Sequence, residues 1–352
     1  METVVFNGGD RSRYSDFLLN SKYKDILQSW EWGEIKSKFN WKAERLGFFN
    51  NGQLLGTAQV LERKLPFNFS LFYVPRGPVT DWQNYELSRE IISALKKKFE
   101  EKIKNKKILF LRLEPPAEKN ENLTAIFKEI GFSEYFKTVQ PPSTLLIELA
   151  IPEEELIKKF RRTARNLIHR SEKEGMTIDV LVGNQITSDY LKGFYNLYRL
   201  TGKRFSFPLR PYEQFSILTK EMVGPGTVRL YIAKIKGAVL AYGIVLSYGE
   251  KAFYIWGGTG RHKDYSRFFN YGYIWGMLKD LKKSGIKVFD FWGLGPEEDK
   301  KHPWRGFTLF KTAFDGDRFN YAGAFDLPIS KLYPLFKLVD KTMTPGYRAT
   351  SS

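Results

Sequence analysis

An apolar hairpin, a third strand, an amphipathic helix and a buried strand follow one another twice along this chain. In the first half, residues 44–49 and 54–61 flank Asn50-Asn51-Gly52, and an Asn-Gly step between apolar runs is a strong hairpin signal. A strand at 70–73 runs into Pro75-Arg76-Gly77-Pro78, whose prolines forbid a helix. An amphipathic helix at 85–104 and a buried strand at 108–113, closed by Pro115-Pro116, complete the set. In the second half, residues 228–235 and 239–247 flank Lys236-Gly237, and a strand at 251–256 continues the meander. A helix at 271–284 and a buried strand at 288–291 follow. Residues 45–63 and 229–247 thus match as hairpins whose turns carry glycine. Self-similarity of this kind predicts two α+β domains of related topology instead of one doubly wound sheet. Further helices are predicted at 22–39, with Trp30, Trp32 and Ile35 on the apolar side, at 153–175, ended by Gly175, and at 188–201.

A chain of 352 residues accommodates two ordinary domains, and 42% hydrophobic with 16% aromatic content fills their cores. There is no cysteine, which removes disulfides, thiolate chemistry and cysteine-based zinc sites and fits a reducing cytoplasm. His169, His262 and His302 lie far apart, against a histidine-rich metal site. The first ten residues are polar, without an apolar signal core, and no apolar run approaches the roughly 18 residues that span a bilayer. A net charge of +17 implies attraction to an anion: nucleic acid, a phosphorylated small molecule or an acidic membrane surface.

The most pointed chemistry lies near the end of the second half. Val288-Phe289-Asp290-Phe291-Trp292-Gly293-Leu294-Gly295 reads as a buried strand ending in a glycine turn. Residues 302–314 read as a loop returning into an alternating strand, with Thr308, Phe310 and Thr312 on one face and Leu309, Lys311 and Ala313 on the other. A lone lysine on a small apolar face beside a glycine turn is either a paired structural cation or a charge aimed at a ligand.

Several stretches, in order from about residue 27 to residue 328, carry a resemblance. They include Gln28-Ser29-Trp30-Glu31-Trp32, Gly56-Thr57-Ala58-Gln59, Tyr73-Val74-Pro75-Arg76-Gly77-Pro78, Arg165-Asn166-Leu167-Ile168, Phe310-Lys311 and Phe325-Asp326-Leu327-Pro328. Together they resemble the Fem family of non-ribosomal peptidyltransferases, which build side branches on bacterial peptidoglycan stem peptides. The resemblance implies an α+β chain of two tandem GNAT-like domains (the acyl-CoA N-acyltransferase type) with a cleft between them. Residues 1–147 with 317–352 would form the first, on the acceptor side, and residues 148–316 the second. The chain has no room for the helical arm that some members insert, so it is similar to the compact ones.

The reaction so implied is attack of a stem-peptide amine on the ester of an aminoacyl-tRNA. The partners are that tRNA and a peptidoglycan precursor, either UDP-MurNAc-pentapeptide or its lipid-linked form. The ester is already activated, so the expectation is no metal and no cofactor, with catalysis by positioning and oxyanion stabilisation. The resemblance gives Lys311 and Phe310 the reacting centre, the ammonium steadying the oxyanion and the ring packing the donor. It gives Lys36, one turn after Trp32, and Arg210 to the acceptor, the arginine as a fork for phosphate. A tyrosine expected shortly after Arg210 is missing, since Tyr212 stands too close. Tyr254 or Trp256 would line the acceptor site, and strand alternation places both on one side.

Other charged groups have a plainer expectation. Arg76 is expected in a salt bridge, with a place facing the cleft as the alternative. Glu114 is expected as a turn-capping carboxylate, with proton acceptance from the attacking amine as the alternative, and His302 as a loop-shaping residue. Lys158, Lys159, Arg161, Arg162, Arg165, Arg170 and Lys173 fall on one predicted helix, either a solvated face or a landing surface for tRNA phosphates. A tail helix at 329–343 mixes Tyr333, Phe336 and Leu338 with lysines, and is expected to dock on the first domain or touch an anionic membrane. The chain is expected to be a cytoplasmic monomer, with peripheral contact at the inner face of the membrane. Two rivals remain. An acyltransferase using another acyl donor such as acyl-CoA would need a Gln/Arg-x-x-Gly-x-Gly/Ala loop, and residues 267–272 lack that spacing. A non-catalytic nucleic-acid-binding protein would explain the charge and leave Lys311 unexplained.

Overall fold

The computed structural model describes residues 1–103, 106–205, 207–222, 226–295 and 304–342. The first part holds β1 (Glu2–Phe6), α1 (Arg11–Asn20), α2 (Trp30–Ser37), β2 (Trp41–Asn50), β3 (Gln53–Lys64), β4 (Phe69–Pro75), α3 (Tyr85–Ile103), β5 (Lys107–Glu114), α4 (Glu121–Ile130) and β6 (Ser133–Glu134). The middle holds β7 (Ser143–Glu148), α5 (Glu153–Lys159), α6 (Arg162–Lys173), β8 (Met176–Val182), α7 (Ser188–Phe205), α8 (Tyr212–Glu221), β9 (Gly226–Ile235), β10 (Ala238–Tyr248) and β11 (Lys251–Thr259). After α9 (Phe269–Lys283), β12 (Val288–Asp290) and α10 (Arg305–Lys311) come β13 (Asp317–Asn320), β14 (Phe325–Pro328) and α11 (Tyr333–Thr342). Two compact units result, Met1–Pro142 with the chain from Asn320 onward, and Ser143–Phe319.

The two sheets share one construction. The first runs β1-β2-β3-β4-β5-β14-β6, and the second, taken from its far edge, β8-β9-β10-β11-β12-β7-β13. Three antiparallel pairings in the first (β1/β2, β2/β3, β3/β4) are matched by β8/β9, β9/β10 and β10/β11. The parallel pair β4/β5 is matched by the parallel pair β11/β12, and antiparallel β5/β14 by antiparallel β12/β7. The duplication therefore extends to the sign of each pairing. Only the source of the sixth strand differs: β7 opens the second unit, whereas β14 reaches the first sheet from late in the chain.

Local chemistry explains the shared hairpins. Asn51 and Gly52 have φ of 47° and 77°, and Lys236 and Gly237 have 49° and 79°. Positive φ at both central residues gives the turn twist that matches paired strands. Each core then packs under a corresponding helix, with α4 adding Leu123, Ile126 and Phe127 to the first and α6 adding Ala164 and Ile168 to the second. The α3 residues Ile91, Ile92, Leu95 and Phe99 are buried with Phe72, Val74 and Leu111, and the α9 residues Ile274, Met277, Leu278 and Leu281 with Tyr231, Val245 and Phe289. No helix among the described residues is long and apolar enough to cross a membrane.

Two predicted helices are broken by their own capping groups. Within 22–39 only Trp30–Ser37 is α-helical. Asp25 caps a single turn at Ile26–Gln28, and the Ser29 hydroxyl then accepts from Trp32 N at 3.1 Å. That break directs the buried Gln28 amide onto the backbone of Gln59 and Pro75, at 2.7 and 2.6 Å. Within 153–175 the chain extends at Phe160, and the Arg165 guanidinium donates to the carbonyls of Lys158 and Phe160 at 3.0 and 2.6 Å. The basic run therefore spans two helices, and Arg165 serves as a cap.

Close approach positions α7. A Cβ on Gly258 of β11 would stand 2.5 Å from the Tyr198 backbone nitrogen. Gly258→Ala is expected to destabilise the protein by about 1–3 kcal/mol, since overpacking forces backbone apart. Urea unfolding checks this, and an unchanged midpoint would mean that α7 accommodates the methyl freely.

Candidate active site

The site starts where β12 leaves its sheet. Asp290 is fully buried, and its carboxylate accepts from Trp292 N at 2.9 Å and from the Thr144 hydroxyl. The Lys251 ammonium is paired with it at 3.2 Å. These contacts fold the chain back through Trp292 and Gly293, with φ of 51° and 96°. A tryptophan in the left-handed region is uncommon, and it is held there by the Asp290 contact below it. Further on, Gly295 N donates to the Thr308 hydroxyl at 2.8 Å, and Arg318 donates to the Gly295 carbonyl at 2.7 Å.

Lys311 reaches this turn from a helix, which corrects the strand expected at 308–313. Residues Arg305–Lys311 form α10, with Thr308 N bonded to the Trp304 carbonyl at 2.8 Å. Short apolar runs of mixed spacing satisfy either period, and here Phe310 and Phe314, one turn apart, pack with ring centroids 5.6 Å apart. Lys311 Nζ donates to the carbonyls of Phe291, Trp292 and Gly293 at 2.8, 3.3 and 2.7 Å. Burial lowers its pKa to about 8, while Asp290 pulls it back upward. Near pH 7 it is an ammonium whose three N–H groups all have acceptors.

One peptide in the turn is arranged unusually. The Trp292 carbonyl faces the ammonium, while the N–H of the same peptide, on buried Gly293, has no acceptor among the described residues. A cation on a carbonyl oxygen polarises the whole amide and strengthens its N–H as a donor. The arrangement offers a fixed positive charge and one sharpened donor, which is what a developing oxyanion requires. Phe310 turns the other way, edge-on to Tyr271 at 5.0 Å.

Tyr254 and Trp256 do not share a side. Trp256 stands opposite Ile244 and Tyr254 opposite Val245, so Ile255 is an extra residue in a β-bulge. A bulge reverses the alternation on which the expectation relied. Tyr254 stacks near Phe289 at 6.4 Å, and burial pushes its pKa up to about 12. Trp256 instead lies edge-on to Phe215 at 5.3 Å, and Phe215 meets Tyr198 at 5.4 Å. Arg210, exposed in the loop two residues before α8, donates its backbone N–H to the Tyr198 hydroxyl at 3.2 Å. The structure thus brings Arg210 and Trp256 together around Tyr198 and Phe215. A Phe205–Phe307 contact at 4.4 Å ties the end of α7 to α10. Tyr212 is turned away, its hydroxyl on the Ser188 carbonyl at 3.3 Å.

In the first unit, the half-buried Lys36 places its ammonium 6.0 Å from the Trp32 ring and 5.4 Å from the Trp41 ring. Arg76, expected in a salt bridge, is buried with its guanidinium 3.3 Å from the Tyr321 ring and donates to the Pro141 carbonyl at 2.7 Å. Glu114 caps a turn, accepting from the backbone N–H groups of Val139 and Gln140 and from the Tyr73 hydroxyl. Burial raises its pKa, against the pull of Arg76 and those donors. His302 lies outside the described residues. The residue that sequence reasoning passed over is Asp290. Its signal was present as a lone acid within the apolar run Val288-Phe289-Asp290-Phe291-Trp292.

A profile described as the FemAB family matches residues 10–237 and 231–341. The chain is 23% identical over 401 residues to the Lipid II:glycine glycyltransferase of Staphylococcus epidermidis, covering 94% of this chain and 93% of that protein. The crystal structure of FemX covers 97% of this chain and 100% of its own, with a TM-score of 0.81 at 21% identity. A tandem GNAT protein from the clavulanic acid biosynthesis pathway covers 94% and 99%, with a TM-score of 0.54 at 10% identity. The two structures show the fold, an α+β chain of tandem GNAT-like units.

Proposed function

The chain belongs to the FemAB family, and on that footing we propose that it moves an amino acid from aminoacyl-tRNA to the stem peptide of a lipid-linked peptidoglycan precursor. The observation that carries the reading is the buried Lys311 ammonium set against the 291–293 turn. In this reaction the acceptor amine attacks the ester carbonyl. A C–N bond forms and negative charge collects on the carbonyl oxygen. The C=O then re-forms as the C–O bond to the tRNA ribose breaks and the ribose oxygen takes up the amine's proton. Lys311, through the Trp292–Gly293 peptide, steadies the intermediate oxyanion, while Phe310, packed on Tyr271 and Phe314 and turned away from the turn, anchors α10 and with it Lys311. The lipid-linked acceptor and a glycyl donor are the first to test, because the staphylococcal relative is a Lipid II:glycine glycyltransferase.

The test supplies the full chain with charged tRNAs and the muramyl-pentapeptide precursor, lipid-linked or UDP-linked, and weighs the product by mass spectrometry. A gain of one amino-acid residue is expected. No gain from any charged tRNA would remove the reading, and transfer from acyl-CoA alone would replace it with an ordinary acyltransferase.

Lys36 and Arg210 are assigned to acceptor phosphate and sugar-nucleotide or equivalent groups that do not change during reaction. Lys36→Ala and Arg210→Ala are each expected to raise the acceptor KM roughly tenfold with kcat nearly unchanged, as removal of a charge-assisted bond does. A fall in kcat at saturating acceptor would place either residue at the chemistry instead.

A further inference from the structure

Exposed apolar groups gather at one end of the first sheet. Phe67, in the tight loop between β3 and β4, is 87% exposed. Phe67 and Asn68 both hold left-handed backbone, with φ of 59° and 61°, and Leu65 N closes the loop on the Phe69 carbonyl at 2.8 Å. The ring is therefore held out toward solvent by its own loop. Phe69 pairs with Lys107 at the start of β5, and Ser330 N, just before α11, bonds the Leu109 carbonyl at 3.1 Å. The loop and the start of α11 thus share this end of the sheet. Tyr333 and Phe336 seat α11 on Phe110, at 5.7 and 4.9 Å between ring centroids. The opposite face presents Leu332, Leu335, Leu338 and Val339, a helical stripe in which Leu335 and Leu338 are each 60% exposed.

The charges around these groups have one sign. Lys64, Lys107, Lys331 and Lys341 are exposed, and no ion pair among the described residues involves them. The neighbouring acids are engaged: Glu62 with Lys106, Asp340 with Lys137, and buried Asp326 with Arg112. Five apolar side chains turned to water inside a cationic frame mark an interaction surface. A second copy of this chain is a poor occupant, since a two-fold contact would set lysine against lysine. A bilayer with anionic headgroups satisfies both features. The apolar tips enter the acyl boundary while the ammonium groups meet lipid phosphates.

We propose that this end of the first unit, Phe67 with the outer face of α11, docks the protein on an anionic phospholipid membrane. The proposal deepens the lipid-linked reading and rests on it for its purpose, since it names the surface that brings the enzyme to a membrane-borne acceptor. Co-sedimentation with vesicles tests it. The full chain is expected to bind phosphatidylglycerol-containing vesicles, to ignore pure phosphatidylcholine, and to dissociate as salt rises. The Phe67→Ser/Leu335→Ser/Leu338→Ser variant is expected to bind about tenfold more weakly or worse, with an unchanged urea midpoint. Lys331→Gln and Lys341→Gln should each cost about fivefold. Failure of the parent to bind, wild-type binding by the triple variant, or a dimer that the triple variant dissociates without any vesicle binding would each overturn it. Vesicle binding without aminoacyl transfer leaves this surface standing and removes the function proposed above. Transfer to a UDP-linked acceptor by a parent that ignores vesicles does the reverse.

Discussion

Lys311→Met is expected to lower kcat/KM for aminoacyl transfer by roughly 10²–10³, the effect of removing one preorganised donor from an oxyanion site. The methionine fills similar space but leaves the carbonyls of residues 291–293 without the ammonium, and the Gly293 N–H loses its polarisation. A merely structural lysine would also loosen this turn, so a second readout is needed. With a pKa of about 8, the ammonium titrates within an accessible range. Its charged form is the low-pH form, so kcat/KM should fall as pH rises through about 8. Lys311→Arg keeps its charge across that range and should flatten the alkaline limb, though at reduced rate because a planar fork does not match three converging carbonyls. Stability should move in the opposite sense. The folded value lies below the ordinary 10.5, so the unfolded chain binds more protons between the two, and the contribution of Lys311 to stability rises with pH across that window. Full transfer by Lys311→Met, or an alkaline limb unchanged in Lys311→Arg, would exclude this group from the chemistry.

What the sequence discloses here depends on the range over which a residue acts. The Asn51-Gly52 and Lys236-Gly237 turns are local demands on φ, and they announced both hairpins and with them the duplication. Lys311 was legible as an oddity, a cation next to a glycine turn. Its partners were not, because they are backbone carbonyls, which every sequence possesses. The side of Trp256 was hidden for a similar reason: one extra residue at Ile255 reverses a strand face, and isoleucine carries no mark of a bulge. The helix at 305–311 is hidden in the sequence because aromatic residues at mixed spacing fit either period. The breaks at Ser29 and Phe160 are masked by a hydrophobic periodicity that runs on through the caps. The source of β14 is written in no local pattern, since its pairing with β5 spans over half the chain; only the family resemblance assigns 317–352 to the first domain.

That long-range pairing hangs on one carboxylate, and removing it is expected to be the most destabilising single change in the first unit. Asp326 of β14 is fully buried and takes Arg112 of β5 in a fork, Nε to Oδ1 at 2.7 Å and an Nη to Oδ2 at 2.8 Å. The Tyr333 hydroxyl donates to the same Oδ2 at 2.8 Å, so the start of α11 depends on it as well. Asp326 raises the Arg112 pKa against strong desolvation, and the guanidinium also lies 3.8 Å from the Tyr135 ring. Asp326→Leu strands that buried cation, and loss of about 3–5 kcal/mol is expected in urea unfolding. Arg112→Met/Asp326→Leu removes both charges and should recover most of the loss, because a well-packed apolar pair needs no desolvation. β14 has four residues, too few to hold its place by ladder bonds alone, so the single variant should also release α11 and weaken vesicle binding in parallel. A single variant that loses under about 1 kcal/mol, the range of an exposed pair, would mean that Arg112 finds water or another acceptor once Asp326 is gone. In that case the late strand would be held by its apolar contacts, with Phe325 stacked on Phe127 at 4.0 Å, and not by charge.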